Sequence, residues 1–238
     1  MFKLKRKAEK ELISFNTKKP HVIYSTHRLV KAKNINGYFK CPEEIMEIEN
    51  YAFDKCINLT QINLPKAIFN IGKCAFIRCS NLTQICLPRE ITEIKECTFI
   101  YCENLTHIIL PDKVTKIGTS AFDGCRNLIH ITLPKGIEFI GHDAFFGCHA
   151  LKFIIIRGND ESNLQRIRAL LPQKLKDKVI SEDYFLKWHF YAKEALNAQG
   201  IIDDVIKVIR NTGGLNFFNP KSKETPQTLE KFQPRVNI

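Results

Sequence analysis

The sequence predicts an α+β fold: a solenoid of about five stacked 23-residue coils with short parallel strands, an N-terminal cap and a helical C-terminal cap. Three observations carry that expectation. Pro42, Pro65, Pro88, Pro111 and Pro134 stand 23 residues apart. Four further columns keep the same period: Phe53 to Phe145, Cys56 to Cys148, Leu59 to Leu151 and Ile62 to Ile154. The pattern also ends as an array should, with Ala150 replacing an asparagine column and the period fading after Ile156. A fixed period of this size marks units that bury their apolar faces only against neighbours, and such arrays mostly serve recognition.

Residues 1–40 read as a basic cap. Lys3 to Phe15 fit a basic helix, and Asn36 to Cys41 align 23 residues before Leu59 to Leu64, as a degenerate first strand. Residues 41–157 hold the repeats. In Leu82-Thr83-Gln84-Ile85-Cys86-Leu87 apolar positions alternate as in a strand. Proline then closes the strand, because it has no N–H to donate to a ladder. Segments such as Val114-Thr115-Lys116-Ile117-Gly118 place inward residues three apart, suiting a short extended or 3₁₀ turn on the opposite wall. Stacking at roughly 4.8 Å turns the phenylalanines into an aromatic column and the cysteines into a row of small buried hydrophobes. Asn58, Asn81, Asn104 and Asn127 are expected to bond backbone groups at the bend.

Residues 158–218 read as a helical cap. Asp160 or Ser162 can cap a helix to Leu171, Pro172 suits the first turn of a second, and Ser181-Glu182-Asp183 opens a third. That third helix carries Phe185, Trp188, Ala192, Ala195 and Leu196 on one face, which is expected to seal the open end of the solenoid rather than form a separate binding face. Ile201 to Ile209 suggests a fourth helix, and residues 219–238 a polar, mobile tail.

The net charge is +11, but residues 1–40 carry +9 of it, residues 41–156 carry −2 and residues 157–238 carry +4. A nucleic-acid reader would put its positive charge on the repeat surface, so nucleic acid is not expected as a partner. The Lys3–Lys10 run reads as a solvated helix face. No apolar stretch is long enough to span a membrane. The basic start lacks an apolar segment typical of a Sec signal, so reduced thiols and a cytoplasmic location are expected.

The units, written LPxxIxxIGxxAFxxCxNLTxI, resemble the BspA-like leucine-rich repeat family, also called the Treponema pallidum type. The resemblance covers about residues 36–156, with Thr98, Glu49 and Lys95 as mild departures. It implies a curved solenoid that binds proteins and carries no catalytic residues. The chain is also similar to repeat-bearing effectors of intracellular bacteria such as Legionella, through its Lys/Ile/Asn-rich composition, lack of a Sec signal and polar tail.

Candidate binding residues lie on the outward, concave side of the strands. One column reads Gln61, Gln84, His107, His130 and Phe153; the other reads Asn63, Cys86, Ile109, Thr132 and Ile155. The coil does not need these side chains, so their identity is free to serve a ligand. Exposed Ile109, Phe153 and Ile155 would form an apolar patch of the kind that marks interfaces. The alternative, C-terminal helices folded over part of this face, is the weaker expectation, because caps usually cover an array's end.

Cys86 and His107 could form a nucleophile–base pair, but the sequence supplies no orienting carboxylate or oxyanion loop beside them. Cys74, Cys79, Cys97 and Cys102 repeat a C-x4-C spacing, but they occupy two different registers, which does not suit zinc. The expectation is therefore a monomeric, non-enzymatic module without cofactor or metal. It would bind a host protein or another bacterial effector, blocking or recruiting it. The competing readings are an effector enzyme with a catalytic C-terminal region, and a surface adhesin.

Overall fold

The computed structural model describes residues 20–196, with side chains through His189. The chain divides into two compact units, Met1–Phe190 and Tyr191–Ile238, and every repeat lies in the first. The expected basic helix, fourth helix and tail lie outside the described residues.

An antiparallel hairpin of β1 (His21–Ser25) and β2 (Arg28–Lys33) forms the N-terminal cap. One wall of the solenoid then consists of β3 (Gly37–Lys40), β5 (Leu59–Asn63), β7 (Gln84–Ile85), β9 (His107–Ile109), β11 (His130–Leu133), β13 (Phe153–Ile156) and β14 (Val179–Ser181). The other wall alternates with it: β4 (Glu47–Ile48), β6 (Asn70–Ile71), β8 (Glu93–Ile94), β10 (Lys116–Ile117) and β12 (Phe139–Ile140). Pairing within both walls is parallel, and equivalent residues of successive coils face each other, as in Gln61↔Gln84 and His107↔His130. β3 pairs Tyr38 with Gln61, so the expected degenerate first strand is present.

The turn chemistry follows the consensus. Each column proline accepts at its carbonyl the N–H three residues on, as Val114 N donates to Pro111 O at 3.0 Å. This tight turn drops Ile45, Ile68, Ile91, Val114 and Ile137 into the core. Phe53, Phe76, Phe99, Phe122 and Phe145 stack with ring centroids 5.0–5.7 Å apart. Packed rings of this kind contribute about 0.5–1.5 kcal/mol per pair beyond their buried area. Gly118 marks a close approach between coils: a Cβ there would lie 2.5 Å from the Glu96 nitrogen.

Two column expectations are sharpened. The cysteines are more than small hydrophobes, because each thiol donates to a carbonyl one coil back. Cys79, Cys102, Cys125 and Cys148 donate to Phe53, Phe76, Phe99 and Phe122 at 3.1–3.2 Å. The asparagines bond one another rather than the backbone: Asn58 donates to Asn36, Asn104 to Asn81 and Asn127 to Asn104, at 3.0–3.1 Å. The in-register stacking that creates the columns makes an amide ladder the nearest available partner.

After Ile156 the chain makes one further coil in a different style. The helices α1 (Glu161–Ala169) and α2 (Gln173–Lys176) lead into β14, which joins the long-strand wall beside β13. Asp160 caps α1 by accepting Ser162 N at 3.0 Å. Leu164, Ile167, Leu171, Leu175 and Val179 complete the core at this end. Arg166 also donates to the carbonyls of Lys135 and Ile137. The open end is therefore sealed by α1, α2 and β14, and not by the Trp188 stripe.

Candidate protein-binding surface

Alternation along the long strands points Ile62, Ile85, Ile108, Ile131 and Ile154 inward and the two candidate columns outward. The columns begin one coil earlier than the sequence reading took them. Tyr38, 58% exposed, precedes Gln61, and Lys40 precedes Asn63. The alignment of residues 36–41 already contained this signal.

The face divides into two halves. Gln61, Asn63 and Cys86 are exposed, and Gln84, His107 and Ile109 are half-buried. Farther along, His130, Thr132 and Ile155 are only 5%, 2% and 1% exposed, and Phe153 is half-buried. The expected exposed patch of Ile109, Phe153 and Ile155 is therefore absent. Its cover is α3 (Glu182–Leu196), which starts directly from β14, Ser181 Oγ accepting Tyr184 N at 3.1 Å. With no loop between strand and helix, residues 182–189 of α3 leave the edge of the wall and fold back across it. Phe185 packs on Phe153 and His130, each at 5.7 Å between ring centroids, and Trp188 packs on Phe153 at 5.5 Å. Phe185 and Trp188 find their partners on the wall because that wall carries the complementary aromatic groups; Ala192, Ala195 and Leu196 of the expected stripe lie outside the described side chains.

His107 stacks on His130 at 5.5 Å, and its Nδ1 meets Thr106 Oγ1 at 3.0 Å. Burial, with His107 and His189 nearby, lowers the His130 pKa to about 3, so its imidazole is neutral. Cys86 sits on the coil before His107, at the open side. Cys79 and Cys102 turn their thiols into the core, while Cys74 and Cys97 stack in another register near Tyr51, so the four sulfurs do not converge. No group of three or more potential metal ligands occurs among the described residues. No described helix is long and apolar enough to cross a membrane.

Residues 32–165 match the BspA type leucine rich repeat region in six copies, one more than the sequence reading counted. No curated protein matches the chain. Among solved structures, a leucine rich cell surface protein from Faecalibacterium prausnitzii is 31% identical with TM-score 0.58, over 62% of this chain and 40% of that one. The Treponema pallidum leucine rich repeat protein is 26% identical with TM-score 0.52, over 61% of this chain and 72% of that one. The pneumococcal vaccine antigen PcpA shares the fold at 22% identity and TM-score 0.53, over 66% of this chain and 43% of that one. The periodic columns, the parallel two-walled solenoid and the six matched copies together place this chain in the BspA type leucine-rich repeat family.

Proposed function

We propose that the protein is a non-enzymatic binding module whose docking surface is the open half of the long-strand wall. The observation that carries this reading is the exposure of Gln61, Asn63 and Cys86, beside Tyr38 and Lys40, on or directly after strands whose packing does not use these side chains. Parallel pairing holds the polar groups in fixed register, so a partner meets a preorganised surface and little ordering cost is added on binding. His107 and Ile109 form the inner border of this patch. The partner is a protein, either a host protein or another bacterial effector, and the module acts by occupying or recruiting it. A role as a surface adhesin is the second reading, favoured by the likeness to the F. prausnitzii cell surface protein.

Affinity capture from bacterial and host-cell lysates tests the surface. A Asn63→Arg, Gln84→Arg variant should lose captured proteins at least tenfold, whereas Thr92→Arg, away from that face, should keep them. Equal capture by all three proteins would reject the open half as the docking site. Protease treatment of intact cells separates the two readings, since only an adhesin is digested there.

A further inference from the structure

We propose that α3 is a proton-operated latch on the long-strand wall. Neutral His130 holds it down, and protonation of His130 lifts it to uncover Phe153.

The geometry makes the contact sensitive to charge. His130 lies between the ring of His107 on β9, 5.5 Å away and inclined by 12°, and the ring of Phe185 on α3, 5.7 Å away. Phe185 in turn stacks on His189 at 5.5 Å. The buried Nε2 of His130 has no hydrogen-bond partner among the described residues. A neutral imidazole tolerates this arrangement better than an imidazolium, which carries two donors and a charge to solvate. The charges acting on His130 are those of His107 from the wall and His189 from the helix, both cationic when protonated. β13 presents the uncharged Phe153. Glu182 at the start of α3 faces Arg157 and the Gly158 backbone, and Asp183 and Lys187 are exposed. Acid therefore places a charge on His130 inside an apolar contact.

The sign follows from the docked and free states. Docked His130 titrates at about 3 against an ordinary 6.5, so the docked state binds fewer protons. Docking is at full strength above pH 6.5 and weakens as pH falls toward 3. One proton changes the docking equilibrium by about tenfold per pH unit in that window. Release requires no partner, so the latch stands or falls separately from the docking surface proposed above.

Trp188, the single tryptophan of the chain, reports the helix position because it packs on Phe153 when docked. The emission maximum of the full chain is followed from pH 8 downward together with far-UV circular dichroism. The latch predicts a red shift with a midpoint between pH 3 and 6.5 while the solenoid signal persists. His130→Phe and His130→Gln should each remove that shift and hold the neutral-pH emission position. The proposal is overturned if the folded wild-type protein shows no shift, if the shift coincides with loss of the solenoid signal, or if a folded variant keeps it.

Discussion

The cysteine column shows how one residue type can meet two demands of a stacked coil. A thiol fills the volume between coils, and its S–H satisfies a phenylalanine carbonyl that the same stacking buries, as in Cys102 to Phe76. A valine would fill the space without donating. Burial pushes the Cys56 thiol up to about 11 and that of Cys148 to about 12, and lifts Cys79, Cys102 and Cys125 well above the ordinary 9.0. These groups keep their protons in the folded state after the unfolded chain has lost them. Their stabilising contribution is therefore complete below pH 9 and declines as pH rises beyond it, by up to about 1.4 kcal/mol per pH unit for each thiol. Urea midpoints measured from pH 8 to 10.5 should fall, and Cys56→Ala should reduce the slope. A variant slope equal to that of the wild type would show that the thiols are not the linked groups.

At the scale of the element, local signals set the strands and turns, whereas tertiary partners set the last helix. The strands were legible because Pro, Phe, Leu and Ile each recur at one position per coil. β14 was not, because Val179-Ile180-Ser181 keeps none of those markers at the 23-residue spacing and is recruited by pairing with Ile154 to Ile156. The helix α3 was legible as a helix with an aromatic stripe, but its destination was not. The stripe complements both an open coil end and an aromatic wall, and periodicity cannot choose between them. Once α1, α2 and β14 close the end, Phe185 and Trp188 are left to cover the wall. Phe185 is the central anchor, touching His130, Phe153 and His189. Phe185→Ala should raise amide exchange through residues 182–189 by at least tenfold while leaving exchange in β5 and β9 unchanged. Protection that stays intact in α3 would contradict that role.

On the scale of the whole molecule, the candidate face is a single structural series with an exposed half and a covered half. Every one of its columns was readable from register, since side chains facing away from a coil escape the period. Which members are accessible was not readable, because accessibility depends on a helix more than fifty residues from His130 in sequence. Gln61, Asn63, Cys86 and the unforeseen Tyr38 remain open, while Thr132 and Ile155 are buried. Cys86 and Thr132 occupy the same column two coils apart, so they differ in cover and not in register. The most direct measurement is maleimide labelling at neutral pH, comparing native Cys86 with the thiol introduced by Thr132→Cys in a Cys86→Ala background. A divided face predicts rapid modification of Cys86 and labelling at position 132 at least a hundredfold slower. Similar rates at the two positions would show that α3 does not cover the wall and would contradict the account.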